Sequence, residues 1–303
     1  MGTRIFTHND ADAVGCVLVA KRFCAPITSI SYNSYQSIDK NLIEFLEAGD
    51  FTDTILIADI SPSEETCQKL DTAYKQGAHI QLIDHHKTKM WINKYKWAIC
   101  DDSTACAAKL LLLYYAKNDG DQKFRDLIEA INAWDLWKLG SKHRARGEQL
   151  NTLLKFIGKK EFLRSFGTNP SADMESPYVE ILSYLEKSKN AYVKRVIKEQ
   201  LRKTEYRMDD LGNTFKIIFA TDYISNIGNA ALEDEDSEDL KYVVIINPAY
   251  GTCSLRGRPG ETDVSAIAQK LGGGGHAAAA GFKIDSKERI SRHVANLLGR
   301  IDS

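Results

Sequence analysis

Ile80-Gln81-Leu82-Ile83-Asp84-His85-His86 decides how this chain reads: a short apolar run that ends on an acid and two imidazoles. The design recurs earlier. Residues 4–8 lead into His8-Asn9-Asp10-Ala11-Asp12, and Ile55-Leu56-Ile57-Ala58 ends on Asp59. Near-continuous apolar runs without polar alternation suit strands of a sheet covered on both faces. Helix patterns alternate with them at 13–23, at 38–48 and from Ser61-Pro62-Ser63-Glu64-Glu65, with strand patterns at 27–32, 54–60 and 79–84. That alternation predicts parallel order with right-handed crossovers. In an open α/β sheet the C-terminal strand ends form the ligand crevice. A His and Asp cluster there reads as a divalent-metal site.

Working outward, the pattern is helical from 103 to about 166, most clearly at 105–115 and 124–137. From 177 to about 208 it keeps a helical period with many charges, which fits a helix joining two domains or a solvated surface helix. Strand signals return at 214–220, 242–247 and 252–258. A helix is predicted at 264–271, with Asp263 as its cap. Gly272-Gly273-Gly274-Gly275-His276 and an alanine run follow, and a last helix is expected at 286–298. The acidic run 233–239 reads as a solvated loop.

With 303 residues the chain has room for two ordinary domains. Hydrophobic residues at 43% and charged residues at 27% match globular averages and exclude disordered and collagenous classes. No run approaches the ~18 apolar residues of a membrane span, and residues 1–6 enter a strand pattern without a signal-peptide stretch. No membrane association and a cytoplasmic location are expected. Net charge is −1, without the basic surplus that supplies affinity for long nucleic acid. A short phosphate ligand fits this balance better than a long duplex. The six cysteines form no C-x-x-C pair, so a structural zinc site and a disulfide scaffold are both disfavoured.

The chemistry-bearing groups differ in weight. Taken alone, His8-x-Asp10-x-Asp12 fits a turn rich in Asn and Asp as readily as a ligand set, and Asp59 competes with a role as a helix cap. Asp84-His85-His86 is stronger, because consecutive histidines behind an acid have little structural use and His is the commonest neutral metal ligand. Asp135, inside Trp134-Asp135-Leu136-Trp137, is an acid among large apolar residues and needs a partner if buried. In the tail, glycines let a backbone approach phosphate closely, and His276 and Arg256 add donors. A flexible linker is the competing reading of the glycine run. Arg258 and Lys283 read as solvated, and Tyr223 and Tyr250 as buried or half-buried rather than as base-stacking platforms.

The ordered set His8-x-Asp10-x-Asp12, Asp59, Asp84-His85-His86 and Asp135 resembles the four motifs of the DHH phosphoesterase superfamily. Ser254-Leu255-Arg256 through Gly272-Gly273-Gly274-Gly275-His276 to Ala279-Ala280-Gly281 resembles its DHHA1 substrate domain. The short His8-Asn9-Asp10-x-Asp12-Ala13 form is most similar to the oligoribonuclease branch called nanoRNase B. The resemblance implies an α/β fold: a DHH domain at 1–185 with a parallel sheet and helices on both faces, a helical linker at 186–210, and a smaller α/β DHHA1 domain at 211–303. It implies two divalent ions, Mn²⁺, with His8 and Asp10 on the first, Asp12, His85 and Asp135 on the second, and Asp59 bridging. A water shared by the ions would attack phosphorus. His86, Asp84 and Asp59 would form the catalytic set: His86 would contact the phosphate or assist the leaving oxygen, and Asp84 would orient a neighbouring histidine or support the metal site. Arg256, Gly273, Gly274, Gly275 and His276 would hold the substrate's phosphate end.

The expectation is therefore a metal-dependent phosphodiesterase, an exoribonuclease that takes a short oligonucleotide or dinucleotide to nucleoside monophosphates. The alternative is action on a signalling nucleotide, such as a cyclic dinucleotide, a pApA-type product or 3′-phosphoadenosine 5′-phosphate. A non-catalytic nucleotide-binding regulator fits less well, because every expected metal ligand is present. The sequence leaves a homodimer open.

Overall fold

In the computed structural model, the apolar runs of the N-terminal half become one parallel sheet. Residues 2–24, 26–49, 51–102, 105–116, 120–258 and 260–284 are described, so the helix expected at 286–298 lies outside the described residues. The chain divides into two units, Met1–Leu185 and Glu186–Ser303.

In the first unit, β1 (Thr3–Thr7), β2 (Ile27–Tyr32), β3 (Thr54–Ala58), β4 (Ile80–Asp84) and β5 (Ala98–Cys100) lie in the order β2-β1-β3-β4-β5. Every neighbouring pair is parallel. Side chains alternate faces along each strand, so both faces are apolar. Ile5, Leu56 and Ile83 face one core, and Phe6, Ile57 and Leu82 the other. Helices α1 (Ala11–Phe23), α2 (Ile38–Ala48), α3 (Glu64–Lys75), α4 (Ala107–Tyr115), α5 (Gln122–Asp135) and α6 (Arg144–Thr168) cover them. The first core receives α1, α4, α5 and α6, for example through Val17, Leu111, Leu127 and Leu153. The second receives α2 and α3, through Leu42 and Leu70. Each such buried side chain contributes about 1.5–3 kcal/mol relative to exposure.

Strand ends fall earlier than the apolar pattern suggests. β3 stops at Ala58 because Asp59 turns into the left-handed region, φ 60°. α1 begins at Ala11 because the Asp10 carboxylate accepts from Ala13 N and caps it. For α3 the cap is Ser63, not Asp59, which frees Asp59 from the competing structural role.

Helix α7 (Tyr178–Glu199) ends well short of residue 208, correcting the helical expectation there. Leu201 is buried with Val196, Ile218 and Val243, and its carbonyl accepts from the Lys216 ammonium. The chain leaves the helix to make that packing, then forms β6 (Arg207–Met208). The second unit continues with β7 (Thr214–Phe219), α8 (Ile224–Glu233), β8 (Tyr242–Asn247), β9 (Thr252–Gly257), α9 (Val264–Lys270), β10 (Gly274–His276) and β11 (Ala279–Lys283). Its mixed sheet runs β10-β11-β9-β8-β7-β6, with only β7 and β8 parallel. Asp263 caps α9, accepting from Ser265 N and Ala266 N.

Two compositional expectations are corrected here. Part of the acidic run is structured: Ser237 is buried, and Asp234 pairs with Arg202. Arg258 is not merely solvated, since its guanidinium donates to the Leu240 and Ser237 carbonyls. Among the described residues, no helix is long and apolar enough to cross a membrane.

Candidate metal centre

In the order β2-β1-β3-β4-β5 the chain reverses its direction of travel between β1 and β3, the place where open α/β sheets bind ligands. His8 and Asp10 follow β1, Asp59 follows β3, and Asp84, His85 and His86 close β4. Asp12 lies in the first turn of α1, and Asp135 is the last residue of α5. Ligand atoms converge in three groups, each within 4.8 Å: His8 with Asp10 and Asp59, Asp12 with His85 and Asp135, and Asp59 with Asp84, His85 and His86. His85 Nε2 stands 3.4 Å from Asp59 Oδ1, 3.5 Å from Asp135 Oδ2 and 3.7 Å from Asp12 Oδ2. Those separations exceed ordinary hydrogen bonds, which run to about 3.2 Å.

Two carboxylate oxygens of the cluster have no partner in the protein. Asp59 Oδ2 and Asp135 Oδ2 are buried and accept no hydrogen bond. Burial, reinforced by the Asp10, Asp12, Asp135 and Asp84 charges, pushes the Asp59 carboxyl well above its usual range. Burial and the Asp12 charge do the same to Asp135. Burial also lowers the His85 imidazole, against the pull of Asp12, which favours its neutral, lone-pair form. Unpaired buried carboxylates cost several kcal/mol unless a cation meets them. Oxygen and imidazole donors without thiolate suit a divalent cation of the Mn²⁺ kind. The cluster can therefore bind metal ions.

Asp12 carries a structural duty as well, its two oxygens accepting from Ala107 N at 2.8 Å and Ala108 N at 2.9 Å. Asp84 is saturated. It accepts from His86 Nδ1 at 2.7 Å, from His85 N at 2.7 Å and from the Ser61 hydroxyl. Burial raises its carboxyl, but His86, Ser61 and His85 outweigh that and hold it below the usual value. It thus orients His86 and keeps a proton on Nδ1. The other nitrogen, Nε2, meets the Tyr35 hydroxyl at 3.2 Å, and the Tyr35 ring also packs 5.4 Å from that of His8. Tyr35 and Ser61 were not foreseen. Both follow directly on strand ends, in Asn33-Ser34-Tyr35 and Asp59-Ile60-Ser61, and that position was the available signal.

In the second unit, strand register places Arg256 opposite Ala279 and Ala279 opposite His276. Directly opposed residues share a sheet face, so Arg256 and His276 flank a methyl on one face. The guanidinium donates to Ser225 Oγ of α8 at 3.0 Å, and its stem crosses Gly228, where a Cβ would meet Cγ at 2.3 Å. The glycine run is not a linker. A Cβ on Gly273 would strike the Gly281 carbonyl at 2.1 Å, and Gly275, at φ 144°, forms part of β10. Tyr223 is half-buried against Tyr192, as expected, whereas Tyr250 is 75% exposed, contrary to expectation.

Comparison with known proteins agrees with this architecture. The DHHA1 domain family matches residues 219–301. Over 295 residues the chain is 28% identical to oligoribonuclease NrnB of Bacillus subtilis (strain 168), covering 92% of this chain and 72% of that protein. Among solved structures it is similar to the DHH domain of a member of a family of ribosomal proteins, with a TM-score of 0.64 at 15% identity over 96% of this chain and 84% of the other. A pGpG-specific phosphodiesterase, PggH of Vibrio cholerae, superposes with a TM-score of 0.53 at 16% identity over 99% of each chain. At such identities these structures establish the shared fold. The DHHA1 match and the oligoribonuclease relative support the resemblance to the DHH/DHHA1 phosphoesterases. The chain carries a DHHA1 domain and resembles an oligoribonuclease along most of its length.

Proposed function

We propose that this protein is a cytoplasmic, Mn²⁺-dependent phosphodiesterase that shortens oligonucleotides of a few residues to nucleoside monophosphates. The observation that carries the reading is the convergence of His85 Nε2 on three carboxylates, two of which keep a buried oxygen unpartnered. The oligoribonuclease relative supports the substrate class, and the net charge of −1 favours short substrates over long ones.

Residues 1–185 take the catalytic role, 186–210 link, and 211–303 bind the substrate end. His8 and Asp10 would hold one ion and Asp12, His85 and Asp135 the other, with Asp59 within reach of both groups. When bound, such a pair supplies Lewis acidity toward phosphoryl oxygen and a water of lowered pKa. His85 contributes a neutral imidazole. Asp84 fixes the His86 ring through Nδ1, so Nε2, which meets the Tyr35 hydroxyl, would exchange that partner for substrate. Burial lowers the His86 imidazole, but the Asp84 bond outweighs it and raises the pKa, so Nε2 can donate to a phosphoryl oxygen or to the departing ribose oxygen. Arg256 and His276 hold the terminal phosphate, and the Gly273, Gly274 and Gly275 backbone lets it approach.

The test is a panel with Mn²⁺: 5′-phosphorylated and unphosphorylated dinucleotides, longer RNA and DNA, cyclic dinucleotides and 3′-phosphoadenosine 5′-phosphate. Monophosphate release from dinucleotides with long RNA untouched is expected. Internal cutting of long RNA with dinucleotides ignored would overturn the reading.

A further inference from the structure

Helix α6 contains one residue outside helical geometry: Gly158, at φ 78° and ψ 162°. That region of backbone space is open essentially to glycine alone. The break therefore needs this residue, and it re-phases the helix: Leu150, Leu153 and Leu154 before it and Phe162, Leu163 and Phe166 after it would lie on opposite faces of an unbroken helix, yet all are buried in one core. It also fixes where the next side chain emerges. Lys159 opens the second half of the helix, its ammonium bonds the Asn9 side-chain oxygen, and it sits 4.5 Å from the centre of the Tyr32 ring. Asn9 stands between His8 and Asp10, both in one group of converging ligands with Asp59. The Tyr32 hydroxyl is buried with no hydrogen-bond partner, so the ring meets Lys159 through its face.

The two Lys159 contacts themselves add little stability. A contact between exposed polar side chains contributes at most about 1 kcal/mol, and a cation over an exposed ring about 0.5–1. A cation beside the ligand loop has another use. The centre gathers Asp10, Asp12, Asp59, Asp84 and Asp135, and a phosphodiester brings further negative charge. Lys159 carries three N–H donors, of which Asn9 takes one.

We propose that Lys159 binds a non-bridging oxygen of a substrate phosphate at the first unit's site, and that the turn at Gly158, made for packing, also sets where it stands. The proposal rests on the phosphodiesterase reading and adds a residue that no motif marked. As a point charge engaged in ground state and transition state alike, Lys159 acts mainly on KM.

The experiment compares the parent chain with Lys159→Met, Lys159→Arg and Gly158→Ala. Equilibrium binding of a non-hydrolysable 5′-phosphorylated dinucleotide is measured at several salt concentrations, with Mn²⁺ affinity measured alongside. Lys159→Met is expected to weaken the nucleotide about tenfold and flatten its salt dependence, with Mn²⁺ affinity unchanged. Lys159→Arg, which keeps the charge, should recover most of the loss, and Gly158→Ala should weaken binding in the same direction. Nucleotide affinity within twofold of the parent in Lys159→Met overturns the proposal. So does a parallel loss of Mn²⁺ affinity, which would make Lys159 a prop for the ligand loop. Turnover by the parent chain tests the phosphodiesterase reading separately, because the binding comparison needs no catalysis.

Discussion

Asp59 concentrates more cost than any other residue of the site. It is buried, its backbone sits at φ 60°, one oxygen has no partner, and four carboxylates surround it. A left-handed non-glycine residue costs on the order of 1–3 kcal/mol, and such strain gathers at functional sites. Asp59→Asn removes the charge without changing the shape. The metal-free protein should gain on the order of 1–3 kcal/mol in denaturant melts run with chelator, while turnover disappears. A variant both less stable and still active would contradict the role given to Asp59. Asp84 acts at one remove. Asp84→Asn weakens the anchor of His86 Nδ1, so turnover should fall about 10–100-fold, the usual effect of losing such a support. Mn²⁺ affinity should hold, which separates Asp84 from the ligands. For Arg256, truncation to Ala should mainly raise KM, read in a substrate titration. A fall in kcat at constant KM would reassign it to the transition state.

At the scale of elements, Asp135 depends on how α5 meets α6. Gly147 makes that approach close: a Cβ there would lie 2.1 Å from the Ala130 carbonyl oxygen and 2.8 Å from Trp134 Cβ. Gly147→Ala must push the helices apart. The expected cost is about 1–3 kcal/mol of stability, together with weaker Mn²⁺ binding as Asp135 shifts, both measurable on one preparation. The elements themselves were largely legible, because a sheet buried on both faces writes each strand as an apolar run, and most of the cluster follows directly on one. Contacts across the chain were not. Tyr35 reaches His86, and Ser61 reaches Asp84, through hydrogen bonds that no local pattern records. The helix expected as far as residue 208 failed for the same reason. Its period says nothing about Leu201 being drawn into the core of the second unit. Arg258 looked like a surface charge because composition cannot show that two carbonyls receive it.

For the whole molecule, the acid cluster links stability to pH and metal. Asp59 and Asp135 have pKa values raised above the ordinary 3.8, so the folded chain holds protons that the unfolded chain releases. Stability from these groups is present at acid pH and lost as pH rises through their raised values. Asp84 works oppositely, since its depressed carboxyl contributes stability above 3.8 that is lost as pH falls. Without metal, the Asp59 and Asp135 carboxyls should therefore make the thermal midpoint fall as pH rises from 3.8 through their raised values. With Mn²⁺ it should rise over the same range, because ligands must shed protons to bind. Parallel melts with chelator and with Mn²⁺ would show the two slopes, and equal slopes would remove the cluster from the explanation. The most direct measurement is a calorimetric titration of the metal-free protein with Mn²⁺. Saturable binding of two ions per chain is expected, with the stoichiometry broken by Asp59→Asn. No saturable binding, or the same stoichiometry in Asp59→Asn as in the parent, would contradict it.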